Sequence, residues 1–196
     1  MKMSSIARTT TMATMLKTPQ SSAPAQTLAP LESSSSVTST RVRIAFVSGP
    51  LAPSPTYFAE HYAPRVDEAI KQGHAFVLGA ARGVDAATLA YLLQNDVSPG
   101  RITVFLSESE RAREKEFTAL SVKVVIAGRG HKARDAAMTA ASDYDILRYQ
   151  TEAECRALYG SEYRPRVSGT EWNERRRQQV LAAAQSVPKS RGDASN

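Results

Sequence analysis

Short apolar runs alternate with longer stretches of helical spacing between residues 41 and 159. Residues 42–47 (Val-Arg-Ile-Ala-Phe-Val), 74–78 (His-Ala-Phe-Val-Leu), 101–106 (Arg-Ile-Thr-Val-Phe-Leu), 123–127 (Lys-Val-Val-Ile-Ala) and 145–149 each fit a strand bounded by turn residues. Between the first two, Phe58, Tyr62, Val66, Ala69 and Ile70 recur at helical spacing, with Pro64 set to kink the helix or start its regular part and Gly73 to stop it. Ala86, Leu89, Ala90 and Leu93 share one face of a helix that closes at Asn95 and Pro99-Gly100. Residues 107–120 are charged with weak apolar spacing, which predicts a surface helix, and helices are also predicted over 134–142 and 151–159. Strands alternating with crossover-length helices predict a Rossmann-like, doubly wound, mainly parallel five-stranded α/β sheet with helices on both faces.

The ends of the chain read differently. Residues 1–40 are rich in Ser, Thr, Ala and Pro, with few large aliphatics, which predicts a disordered tail. Its opening carries Lys2, Arg8 and Lys17 before any acidic residue, a composition that also suits a mitochondrial transit peptide. Residues 161–169 look extended. Thr170 is placed to cap a helix from Glu171 to about Gln185 that contains Arg175-Arg176-Arg177, and the last residues read as frayed. The expected organisation is therefore a tail over 1–40, a Rossmann-like domain over 41–160 and a basic arm over 161–196.

Charge modifies the picture in one respect. The formal net charge is +6, but residues 41–160 hold fifteen basic and fourteen acidic residues, so the excess lies in the two ends. A nearly neutral body disfavours duplex binding, which needs a concentrated basic face, although the arginine triplet leaves nucleic acid open as a partner. An arm packed across its own domain or a partner in a homo-oligomer is the favoured alternative. The single cysteine, Cys155, excludes an intrachain disulfide and a cysteine-based zinc site, and is read as a small buried apolar residue. No run approaches a membrane span, so a cytoplasmic protein is expected.

The chemistry concentrates in three turns. Ser48-Gly49-Pro50 follows the first strand, Gly79-Ala80-Ala81-Arg82-Gly83-Val84-Asp85 follows the second, and Gly128-Arg129-Gly130-His131 follows the fourth. Small residues let a ligand approach the backbone, and free N–H groups at a helix start favour an anion. With strand order 3-2-1-4-5, the three turns would converge beyond the carboxyl ends of the strands, where open α/β sheets bind ligands. Ser48 could then hydrogen-bond, Arg82 could clamp phosphate, and Asp85 could accept a ribose hydroxyl or simply cap its helix. His131 could serve as a base or phosphate donor. There is no P-loop, no G-x-G-x-x-G, no G-x-S-x-G and no H-E-x-x-H pattern, and no metal-ligand cluster, so no cofactor is expected.

The 79–87 segment closely resembles the G-x-A-R-G-[IV]-D-x-x-A turn of DprA-type DNA-processing proteins and is similar to the G-A-R-G-x-D turn of YspA-like proteins. Arg134-Asp135-x-x-Met138 before Ser142-Asp143 resembles later elements of the YspA-like pattern. Both families belong to the Rossmann-like SLOG superfamily, which includes the LOG phosphoribohydrolases. The resemblance implies a nucleotide or nucleotide-derived ligand held by Ser48, Gly49, Gly79, Arg82, Gly83 and Asp85. The P-G-G-x-G-T-x-x-E segment of the LOG enzymes has no counterpart here, so the resemblance supports binding, by a sensor or carrier, above any reaction. The alternative expectation is an enzyme cleaving an N-glycosidic bond, with Asp85, Asp135 or Glu60 as the carboxylate that stabilises an oxocarbenium-like centre.

Overall fold

The computed structural model describes residues 41–186; the expected tail over 1–40 and the frayed end lie outside the described residues. Five parallel strands form one sheet: β1 (Ile44–Ser48), β2 (Ala75–Gly79), β3 (Ile102–Leu106), β4 (Lys123–Ile126) and β5 (Tyr144–Leu147). The fold class is thus the one that the apolar pattern predicts. Strand order is not. It runs β4-β3-β2-β1-β5, so β1 to β4 step successively in one direction and β5 returns to the far side of β1. The order 3-2-1-4-5 would have put β4 beside β1. Here the switch point lies between β1 and β5, and β4 is an edge.

Alternation along each strand separates two cores. Ala45, Val47, Phe76, Leu78, Ile102, Val104, Leu106 and Ile146 face one side. There they meet α1 (Tyr57–His61), α2 (Ala63–Lys71), α3 (Val84–Gln94) and α4 (Glu114–Thr118), through side chains such as Tyr62, Val66, Leu92 and Phe117. Phe46, Val77 and Phe105 face the other side and pack on Met138 of α5 (His131–Ala140). The remaining helices, α6 (Glu152–Tyr159) and α7 (Gly169–Ser186), follow β5, and α7 packs against β5 and α5 of its own sheet. Among the described residues, no helix is long and apolar enough to cross a membrane.

Local chemistry explains where helices begin and where the expected boundaries shift. Pro64 falls at the second position of α2, where a missing N–H costs no intrahelical bond, so the predicted helix divides into α1 and α2. The charged stretch after β3 is not one helix. It opens as a 3-10 segment (Glu108–Arg113) fixed by a Ser107/Glu110 capping box, and only α4 follows, since Phe117 alone among its residues is buried. β5 starts one residue earlier than its apolar run suggests and ends before Tyr149, which is 38% exposed. Ser168, not Thr170, caps α7: its hydroxyl accepts from the Glu171 N–H at 3.0 Å. Cys155 is half-buried in α6 rather than in the core.

The switch point is held by Tyr62. Its side chain is fully buried, and its hydroxyl lies 2.9 Å from both the Ser48 and the Arg148 carbonyl oxygens while accepting from the Arg148 N–H at 3.0 Å. One hydroxyl therefore ties the end of β1 to the chain leaving β5. On the outer edge of β5, Arg65 of α2 donates to the carbonyls of Asp145 and Leu147 at 3.0 Å each. Tyr62→Phe keeps the ring packing but strands buried backbone groups. It should lower the unfolding free energy by about 1–3 kcal/mol, read as a lower urea midpoint with an unchanged slope.

Candidate functional site

The turn after β2 is shaped by its neighbours before it meets any ligand. Gly83 sits at φ 83°, and a Cβ there would collide with the Pro50 carbonyl oxygen. That carbonyl accepts from the Val84 N–H at 3.2 Å, the first helical amide of α3. The turns after β1 and β2 are thus bonded to one another. Gly49 is packed likewise: a Cβ on it would stand 2.5 Å from both the Tyr62 hydroxyl and Val84 Cγ2. Gly79 has a different reason. A Cβ there would lie 2.5 Å from Asp85 Oδ2 and 3.3 Å from an Arg134 guanidinium nitrogen, so its bare α-carbon lets two charged side chains close over the end of β2.

Those side chains belong to a buried ionic cluster. Arg134 of α5 is 6% exposed and reaches Glu110 through Nη1 at 3.0 and 2.9 Å, and Asp135 through Nε at 3.1 Å and Nη2 at 2.9 Å. Burial alone would weaken the guanidinium's hold on its proton, but the two carboxylates reverse that and raise its pKa. Burial would likewise raise Glu110, yet the Ser107 N–H and hydroxyl and then Arg134 hold it below its ordinary value. Asp85 has a different balance. Burial pushes its carboxyl up to about 7, Arg134 and the Ala81 N–H counter only in part, and Asp135 and Glu110 add to the rise. One arginine thus faces three carboxyls, and Asp85 is the one that keeps a proton near neutrality. Asp85 occupies the first turn of α3 while Gly83 is the N-cap, so helix capping does not account for it.

A cleft of about 720 Å³ opens over this cluster at the carboxyl ends of β2 and β3. Gly79, Asp85, Glu110 and His131 form its polar end. Ala86, Leu89, Ala90 and Leu93 form one wall, and Phe117 and Leu120 continue it on the side of α4. The apolar stripe of α3 therefore lines an open cleft. Val84, Thr88 and Leu92 are the residues of α3 that are buried. Arg113 spans the rims, donating to the Ala80 carbonyl at 2.5 Å while its guanidinium lies over the Phe117 ring. Arg82, at the mouth, is exposed and makes no hydrogen bond or ion pair among the described residues. His131 is the first residue of α5, with Nδ1 3.8 Å from Glu110.

The three turns named from the sequence are not three walls of one pocket. Gly79, Ala80, Ala81, Arg82, Asp85 and His131 line the cleft, joined by Leu51 beyond the first turn. Ser48, Gly49, Pro50, Gly83, Gly128 and Gly130 do not. Ser48 is buried with its hydroxyl accepting from Asn173 of α7 at 2.9 Å. The Gly128 carbonyl accepts from the Glu108 N–H, and Gly130 is the N-cap of α5, so the fourth turn reaches the cleft through His131 alone. Asp135 supports Arg134 from behind, and Glu60 is exposed on α1 beside His61. Glu110, Arg113 and Arg134 are the site residues that turn-reading passes over. The Ser107-x-x-Glu110 spacing signalled a capped turn, but not that the same carboxylate would meet α5.

Of the arginine triplet of α7, only Arg177 is buried, although each arginine has a partner in the chain. Arg175 pairs with Glu171, Arg176 donates to Asn173 Oδ1, and Arg177 is buried against Asp145.

The Asp85 carboxyl gives a directed test. The folded chain holds its proton up to about pH 7, whereas the unfolded chain releases it near the ordinary carboxylate value. Stability is therefore fully present below the unfolded value and is lost as pH rises through the folded one, with no further loss above. Asp85→Asn removes that penalty. It should stabilise the chain at pH 8 by about 2 kcal/mol, less than the full shift implies because the cleft admits water, and change little at pH 4. Urea unfolding at the two pH values measures it.

No family model matches the chain, and no curated protein or solved structure matches it.

Proposed function

We propose that the chain binds a nucleotide or nucleotide-derived ligand in the cleft between α3 and α4. One observation carries the reading: two carboxyls and an apolar wall share one opening whose mouth holds a guanidinium, that of Arg82, unpaired among the described residues. Ionised and neutral carboxyls both exchange hydrogen bonds with hydroxyls, so Glu110 and Asp85 suit a ribose. The α3 wall and Phe117 suit the flat face of a base, and Arg82 suits a phosphate. The resemblance of the 79–87 turn to SLOG turns points to the same ligand class. The net charge around Arg134 disfavours placing phosphate deep in the site, since three carboxyls surround one arginine. Calorimetric titration of the chain with AMP, ADP-ribose and adenosine tests this. Arg82→Ala should weaken the phosphorylated ligands about tenfold or more and leave adenosine unchanged. Absence of binding by all three, or an equal loss for adenosine, overturns the reading.

A second reading rests on the opposed titration of two neighbouring acids. Asp85 holds its proton up to about 7 while Glu110 is kept ionised, the division that cleavage of an N-glycosidic bond requires. Asp85 would protonate the departing base as the C1′–N bond breaks, water would add to C1′ and return a proton to Asp85, and Glu110 would stabilise the positive charge on the sugar, the role expected of Asp85, Asp135 or Glu60. Release of free base from nucleoside monophosphates, followed by chromatography, should fall at least about 100-fold in both Asp85→Asn and Glu110→Gln. Turnover that survives both substitutions rules this version out.

A further inference from the structure

Away from the α3–α4 cleft, α7 runs from the carboxyl end of β1 to the amino end of β5. At the first place Asn173 donates to the Ser48 hydroxyl at 2.9 Å; at the second Arg177 donates to Asp145 Oδ1 and to the Ser142 carbonyl. Thr170, Asn173 and Arg177 are the buried residues of the helix. At about 100° per residue, Val180, Leu181 and Ala184 continue the stripe that those three define.

The stripe changes character along its length. Over the sheet it is polar and hydrogen-bonded. Past Arg177 it is apolar and uncovered: residues 178–186 are all exposed, with Val180 and Leu181 about half open to solvent. Single apolar side chains at a surface are ordinary. These, however, extend a docked face, and they lie in a stretch, 178–186, that carries no charge. Where this stretch begins there is a cavity of about 310 Å³, lined in part by Arg65 of α2, Leu147 of β5 and Leu181 itself.

The chemistry of this face selects its occupant. About a two-fold axis each residue meets its own copy, so a charged face repels itself and an uncharged one does not. A nucleic acid or an anionic membrane calls for cations along the helix, and residues 178–186 offer none. Addition of a strand to the neighbouring β5 margin is opposed by Arg65, which already holds the Asp145 and Leu147 carbonyls. An identical helix end fits, and the small side chains of Ala182, Ala183 and Ala184 let two such ends approach closely. The free end spans only about 13 Å at 1.5 Å per residue. Crossing alone thus falls short of the roughly 800 Å² a side of a standard interface, and the contact must run on into the cavity.

We propose that the free end of α7 is a self-association surface: Val180, Leu181 and Ala184 of two copies pack about a two-fold axis, and each helix end enters the cavity beside β5 of the other copy. No residue of α7 lines the α3–α4 cleft, so the association is independent of what that cleft binds.

Sedimentation equilibrium of the full chain, loaded from about 5 to 300 μM, brackets the micromolar association that so small a contact supports. The average mass should climb from monomer towards dimer. Leu181→Asp should raise the dissociation constant about tenfold or more, with an unchanged urea midpoint because the side chain it replaces is exposed. In Cys155→Ser protein, Ala184→Cys should cross-link to its own copy through a short bismaleimide, whereas Lys115→Cys, on exposed α4 surface, should not. A mass that stays monomeric to the highest loading, or a dimer that Leu181→Asp leaves equally tight, overturns the proposal. Equal cross-linking at the two positions refutes it as well.

Discussion

The Arg134 guanidinium is the interaction on which the architecture of the site depends. It rises from α5 on one face of the sheet, crosses the end of β2 and ends among carboxyls supplied by three segments that are far apart in the chain. A buried arginine is tolerable only when its donors are filled, and Glu110 and Asp135 fill them. That requirement explains the bare α-carbon of Gly79, over which the guanidinium must pass. It also explains the fixed 3-10 segment after β3, since Ser107 must aim Glu110 inward. The charge is overmatched rather than balanced. Two carboxylates neutralise and exceed one guanidinium, so the third acid, Asp85, carries the electrostatic strain of the group.

That strain sets Asp85 apart from the carboxylates that simply pair with Arg134. Glu110 and Asp85 are the same functional group at one cleft, yet hydrogen-bond donors surround the first and a low-dielectric wall surrounds the second. The apolar stripe of α3 lines the cleft and reduces the solvation of Asp85. The shape of the cleft and the acidity of Asp85 are consequently set by one helix.

Much of the fold was legible because parallel strands buried on both sides leave continuous apolar runs, as in Phe46-Val47 and Val104-Phe105-Leu106. Strand order was not legible. Which side of β1 receives a late strand depends on the crossover helices that accommodate it, and neither apolar runs nor turn residues encode that choice. The same ambiguity misassigned the turns. Gly49 and Gly83 were recognised as positions that need a missing side chain, but the neighbour needing the space is another part of the chain: Tyr62 and Val84 for one, the Pro50 carbonyl for the other. Periodicity found the stripe Ala86, Leu89, Ala90 and Leu93 but could not distinguish a core from a cleft, because both are apolar. Arg134 illustrates the remaining limit, since beside its neighbour Asp135 it pairs with Glu110, twenty-four residues away.

Arg65 has a consequence for how the molecule behaves among its own copies. A strand at the margin of a sheet offers carbonyl and amide groups to any extended chain that comes alongside, and four-residue strands have little else to shield them. By taking the Asp145 and Leu147 carbonyls, the guanidinium occupies the two acceptors that an incoming strand would use first, and it does so with a charge that repels a second arginine bearing the same task. Two outward acceptors of the β5 margin are thereby already engaged within the chain's own fold.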